Sequence, residues 1–205
     1  MCKFIARGIG KARDRYYLRK KVRWWRMLTS LGMQIGKNVN LPLSTWIDTS
    51  HCFLISIGDN CGFGEFCAIL AHDAMPNEFL DATKIGKVKI HESCHFGMRT
   101  IILPGVEIGP RSIVGANSVV AQSIPPGTVA AGNPAKVVCS LEEYLDKHRK
   151  IMAQSPSFEY MEYSLQYLTP EKMNEMREKL IRQTGYVVGG YTAMIERGEA
   201  LNRTK

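Results

Sequence analysis

The sequence predicts an all-β core wound as a β-helix, and three observations carry that prediction. First, Ile90, Phe96, Ile102, Ile108, Val114 and Val120 open successive six-residue units, each starting on an aliphatic residue or Phe. Second, the fifth position of each unit is small or aliphatic: Cys94, Thr100, Val106, Ser112, Ser118 and Ile124. Third, the same spacing is present upstream at Ile35, Leu41, Ile47 and Phe53, slips frame, and resumes at Ile57, Phe63 and Ile69. A fixed short period of this kind marks a structure in which each unit forms one flat face and a turn. No single face can bury its apolar residue alone, so stacked coils share one core along an axis.

The repeat occupies residues 34–139, in about four coils. Between His72 and Lys87 the period is lost, and Met75-Pro76-Asn77 marks a loop over 73–87, read as structureless and thrown off the coil. Insertions in repeat architectures tend to sit on the functional face. The repeat stops at Pro125-Pro126, where paired prolines cannot continue a hydrogen-bonded ladder.

Residues 1–33 read as a basic amphipathic helix, with Tyr17, Leu18, Val22, Trp25, Leu28 and Leu31 at mostly helical spacing up to Gly32. A coil stack exposes apolar surface at its ends, so a cap is the expected role. Trp24 and Trp25 raise a second reading, peripheral membrane contact. Residues 140–205 read as a helical extension. Ser140 and Glu143 have capping-box spacing for a helix over 141–153. Thr169-Pro170 opens a further helix, with Gly185 expected past its end. The tail from 186 shows no pattern and is expected to fold back on the coils or on a neighbouring subunit.

Composition sets bounds on function. The chain has 205 residues, 45% hydrophobic and 22% charged, the balance of a globular protein. No apolar run is long enough to span a membrane, and the first residues lack the apolar core of a signal peptide. Cys61, Cys67 and Cys94 fall on the small position of the repeat, where they read as buried free thiols suited to a reducing cytoplasm. The net charge of +8 is concentrated at the N-terminus, in Lys3, Arg7, Lys11, Arg13, Arg15, Arg19, Lys20, Lys21, Arg23 and Arg26 against Asp14 alone. Such an end suits phosphate, anionic lipid or an acidic protein face. No nucleic-acid-binding motif accompanies it, so nucleic acid is not an expected partner.

With these residues in view, the chain resembles the hexapeptide-repeat sugar O-acetyltransferases, a family that includes maltose and galactoside acetyltransferases and those of surface-polysaccharide pathways. The most specific stretches are Ile101 to Gly109, Val114 to Val120 and Ile124 to Val137, the last containing Asn133-Pro134-Ala135-Lys136. The resemblance implies a left-handed parallel β-helix, a homotrimer with active sites between subunits, and acetyl-CoA as co-substrate. It singles out His72 as the catalytic base. Acetyl transfer to a hydroxyl needs a base that titrates near neutrality, and an imidazole does. The resemblance further places His95, Gly97, Met98 and Ala116 along the cofactor and Lys136 near its nucleotide, where an ammonium meets phosphate. Asp48, Glu65 and Asp73 are candidates for the saccharide acceptor by position. Asp73 is also a candidate to orient the imidazole.

The family's usual pattern differs at three places: His95 for an aromatic, His91-Glu92-Ser93 for a Gly-Asp-Asn turn, and Ala121-Gln122 for a Thr-Lys pair. Two rival readings follow from the residues. A trimeric zinc enzyme of carbonic-anhydrase type would draw on His72, His91 and His95. A β-helix without catalysis would act as a scaffold for partners. The leading expectation is a cytoplasmic acetyl-CoA-dependent O-acetyltransferase that needs no metal.

Overall fold

The computed structural model describes residues 2–190, with side chains described from residue 16 onward. The chain divides into two units, Met1–Leu141 and Glu142–Lys205.

In the first unit the six-residue period becomes three parallel faces of a prism. Face one stacks Gln34–Ile35, Ile55–Ile57, Val88–Ile90 and Glu107–Ile108. Face two stacks Gly62–Phe63, His95–Phe96, Ile113–Val114 and Thr128–Gly132. Face three stacks Trp46–Ile47, Ala68–Ile69, Ile101–Ile102 and Val119–Val120. The first residues of the repeat lie directly over one another. Ile57, Ile90 and Ile108 form one column, Phe63, Phe96 and Val114 a second, and Ile47, Ile69, Ile102 and Val120 a third. All are buried, as are the small-position residues Cys61, Cys67, Cys94, Thr100, Ser112 and Ser118. Phe63 and Phe96 stack with ring centroids 4.5 Å apart.

Two of the three edges turn through a left-handed residue at a repeating place. Asn38, Asn60, Ser93 and Arg111 serve the edge between faces one and two, and Phe66, Arg99 and Asn117 the edge between faces two and three. Asn tolerates this conformation, whereas a bulky side chain there costs roughly 1–2 kcal/mol. Phe66, at φ 61°, is 57% exposed. Phe66→Asn is therefore expected to stabilise the fold by about 1 kcal/mol, read as a higher urea midpoint at unchanged slope.

Several expectations are corrected. Phe53, in frame with the early repeat, is exposed, because residues Cys52–Leu54 form a 3-10 turn that takes up the frame slip and buries Cys52 instead. The excursion is ordered rather than structureless: His72–Asp73 pairs antiparallel with Lys84–Ile85 around a short helical turn, Asn77–Leu80. The ladder also continues past Pro125-Pro126. Thr128–Gly132 adds a parallel strand to face two before Ala135–Ser140 closes it antiparallel.

The N-terminal helix runs Cys2–Ser30 and ends at Gly32, whose φ of +96° and close approach to Phe53 Cβ admit no side chain. Leu28 is fully buried in the coil core, and Trp24 and Trp25 pack against it. Both tryptophans are partly buried by that packing. The side chains of Lys3 to Arg15 lie outside the described residues. Among those described, no helix is long and apolar enough to cross a membrane.

The second unit holds helices Leu141–Met152 and Pro170–Lys179, with Thr169 Oγ1 accepting from Lys172 N at the N-cap of the latter. Gly185 lies beyond the end of that helix, at Leu180, and instead makes room for Pro156 O and Phe158. The tail pairs within its own unit, Tyr186–Val188 lying parallel to Ser157–Glu159. Residues 191–205 fall outside the described range, so the expected return of the tail is described only to residue 190.

Candidate active site

His72 leaves the coil where face three ends, at the base of the excursion. Its Nδ1 lies 2.5 Å from Oδ2 of Asp48, on the coil below. Asp48 follows Ile47 at the end of the neighbouring strand of the same face, so the register of Ile47 with Ile69 brings the carboxylate beneath Leu70 to His72. Asp48 is 1% exposed, and its carboxylate accepts from several neighbouring groups. Oδ2 accepts from Ala71 N at 3.1 Å, and Oδ1 from Ser50 Oγ at 2.6 Å, Ser50 N at 3.2 Å and His51 N at 3.3 Å.

Burial alone would raise the pKa of Asp48. The bonds from Ser50, His72 and the Ala71 amide outweigh it and hold the carboxyl at about 2. An ionised carboxylate accepts only, so His72 Nδ1 carries the proton that faces it, and in the neutral ring Nε2 is the nitrogen with the lone pair. The linkage sign is fixed by the depressed pKa. Asp48 contributes stability above the ordinary carboxyl pKa, and that contribution is lost as pH falls towards 2. Between pH 5 and pH 3 the wild type is expected to lose about 1 kcal/mol more than Asp48→Asn, in urea unfolding at the two pH values.

The remaining predicted residues fall in two places. Asp73 does not meet the imidazole; its Oδ1 accepts from Met75 N at 3.0 Å, capping the first turn of the excursion. Glu65 is exposed on the edge between faces two and three, where it accepts from Ser44 Oγ. Gly97, Met98 and Ala116 share that edge. Gly64 stacks on Met98, Gly97 on Ala116, and Gly115 on Ala131. Ala131 pairs with Lys136 across the closing hairpin, which brings the exposed ammonium to the same edge. The glycine at 97 has a cause inside the fold, since a Cβ there would lie 2.3 Å from Ala116 N. His95 projects from face two with its ring over Gly62, and burial lowers its pKa. The edge and His72 lie on opposite borders of face three. One chain does not bring them together.

His72, His91 and His95 do not meet within the chain either. His91 Nε2 lies 2.6 Å from Glu107 Oε1, between faces one and two. Asp48, His51 and His72 do offer donor atoms within 4.8 Å of one another, a set that could hold a metal ion. Both Asp48 oxygens, however, already accept N–H and O–H protons. That pattern suits a carboxylate that orients an imidazole. Neither Ser50 nor His51 was visible as a site residue from the repeat, because both lie in the stretch where its frame slips.

Known proteins place this arrangement in a class. Residues 87–122 match the family described as "Bacterial transferase hexapeptide (six repeats)". YvoF of Bacillus subtilis (strain 168), which bears an acetyltransferase name, is 34% identical over 126 residues, covering 62% of this chain and 71% of YvoF. A Staphylococcus aureus (strain COL) protein that also bears an acetyltransferase name is 45% identical over 62 residues, 30% of this chain and 31% of its own length. Among solved structures, a maltose O-acetyltransferase from Clostridium difficile 630 superposes with a TM-score of 0.46 at 26% identity, over 55% of this chain and 72% of that one. Stacked six-residue coils and named acetyltransferase relatives define an acyltransferase. The chain belongs to the bacterial transferase hexapeptide family.

Proposed function

We propose that this acyltransferase moves an acetyl group from acetyl-CoA to a hydroxyl of a saccharide in surface-polysaccharide assembly, with His72 as general base. The observation that carries the reading is the His72 Nδ1 to Asp48 Oδ2 contact of 2.5 Å on a buried carboxylate. Asp48 holds the ring in one tautomer and stabilises the imidazolium that forms, as a triad carboxylate does.

His72 Nε2 takes the acceptor proton as the hydroxyl oxygen bonds to the thioester carbonyl carbon. The C–S bond then breaks, and the departing CoA thiolate recovers the proton from the imidazolium. Transfer is direct, with no acetylated enzyme.

The edge of Gly97, Met98 and Ala116 fits the extended arm of the cofactor, since stacked turns with small side chains present open backbone along one line. Lys136 would meet a phosphate of the nucleotide, and the ring of His95 would flank the arm. Because this edge and His72 border opposite sides of face three, the reaction calls for a second copy to supply one of them. Face three favours such packing: its outward residues are Trp46, Ala68, Ile101 and Val119, with no charge among them. A left-handed β-helical homotrimer supplies three such sites.

On this reading residues 1–33 form the capping helix, 34–139 the catalytic coils and 140–205 an extension. The protein works in the cytoplasm, with the basic helix available to an anionic membrane surface. Acceptor-dependent release of CoA thiol, against a panel of sugars and nucleotide sugars, tests the activity. An acetylated enzyme isolated before acceptor is added would sink direct transfer.

A further inference from the structure

Two side chains beside the base have no part in the reaction so far. His51 and Phe53 lie at the 3-10 turn one coil below His72, and the ring of His51 neighbours both of the others. The centroids of His51 and His72 are 5.0 Å apart with the planes at 40°, and those of His51 and Phe53 are 5.9 Å apart at 39°. Phe53 is 57% exposed, although its Cβ is wedged against Gly32 and its neighbour Cys52 is buried in the core. An exposed ring on a fixed base is a rigid apolar platform.

Ser50 decides the chemistry of His51. Its Oγ lies 2.6 Å from Asp48 Oδ1 and 2.9 Å from His51 Nδ1. A serine hydroxyl has one proton, and the carboxylate can only accept, so that proton goes to Asp48. Towards His51 the Ser50 oxygen is then an acceptor, and His51 Nδ1 must carry the hydrogen. The same buried carboxylate thus sets both imidazoles to one tautomer, directly for His72 and through Ser50 for His51. In each neutral ring the acceptor nitrogen is then Nε2, and two such rings with centroids 5.0 Å apart, beside an aromatic platform, match one kind of ligand. A pyranose has hydroxyls on neighbouring carbons and an apolar face of C–H bonds.

We infer that the row Phe53, His51, His72 is the acceptor subsite. It takes a pyranose whose C–H face lies on Phe53 and whose hydroxyl next to the acetylated one donates to His51 Nε2. This assignment rests on the reading of His72 as base. It adds a sugar-binding residue, His51, and a platform, Phe53, which the repeat pattern assigned to the core.

Two readouts independent of turnover test it. Imidazole ¹⁵N spectra of the wild type should show His51 protonated at Nδ1. Ser50→Ala should mix the His51 tautomers, while His72, which loses a 3.4 Å contact to Ser50 Oγ but keeps the 2.5 Å contact to Asp48, should stay protonated at Nδ1. Saturation-transfer NMR should then show methyl α-D-glucopyranoside or methyl β-D-galactopyranoside bound to the wild type. His51→Ala and Phe53→Leu should each weaken that binding roughly tenfold, the scale of one hydrogen bond or one ring contact. Leucine keeps apolar bulk against Gly32 and removes the flat face, so it separates platform from packing. The subsite is overturned by His51 protonated at Nε2 in the wild type, by no binding of either glycoside, or by equal binding in the variants. Glycoside binding through His51 and Phe53 in a protein that turns over no acceptor would overturn the acetyl-transfer reading and leave the subsite standing.

Discussion

His72→Ala is expected to lower acceptor-dependent thiol release from acetyl-CoA by roughly 10²- to 10⁴-fold, the range that general-base help contributes. The acceptor hydroxyl is a poor nucleophile while protonated, and no other imidazole hydrogen-bonds to the buried carboxylate through its own ring nitrogen. His51 reaches Asp48 only through Ser50 and its own amide. It therefore cannot draw the same stabilisation for an imidazolium. Asp48→Asn tests the other half of the pair. It preserves size and removes the charge, so the ring loses both its fixed tautomer and its counter-charge. A fall of roughly 10²-fold or more is expected, by the logic of a triad carboxylate. Both losses should appear in kcat, with CoA binding unchanged, because neither residue lies on the edge of Gly97 and Ala116. A His72→Ala protein that retains wild-type turnover would remove His72 from the mechanism. One that loses CoA binding would place the histidine at the cofactor instead.

Much of the fold was legible because one period governs it. Every buried column, from Ile57 over Ile90 to Ile108, is the first position of the repeat read down the coils. The site was less legible, for a physical reason. A regular coil spaces stacked positions by three units, but Ile47 pairs with Ile69, and the extra length lies in the 48–57 stretch that holds the 3-10 turn. That insertion hides the partnership of Asp48 with His72 from any reading at fixed period, and it also moves Phe53 out of the core. The signal that would have found the pair is the alignment of Trp46–Ile47 with Ala68–Ile69, which sets Asp48 beneath the residues leading to His72. Asp73 adjoins His72 in sequence, but successive strand residues point to opposite sides, so adjacency does not make it the orienter. Gly97 illustrates a different limit. Its lack of a side chain follows from the coil stacked on it, so glycine there would be required with or without a cofactor.

Mixing two inactive variants is expected to restore activity, and this result bears most directly on how the site is assembled. His72→Ala removes the base from one border of face three and leaves the edge intact. Ala116→Glu does the reverse: at an exposed turn it sets a long charged side chain on the edge proposed for the cofactor arm, while Asp48 and His72 are untouched. If each site takes its base from one copy and its cofactor edge from the next, some sites in a randomly mixed trimer combine two intact halves. That share is roughly one quarter, so mixed unfolding and refolding, or co-expression, should recover about a quarter of the wild-type rate. Each variant alone should stay at its own low level, and light scattering should show trimers for both. If base and edge acted within one chain, every site in the mixture would carry one defect and mixing would recover nothing. Trimers without recovery would therefore locate the reaction inside a single prism and require the cofactor to reach across face three. Recovery near one quarter would assign face three, with Trp46 and Ile101 outward, to the contact between copies.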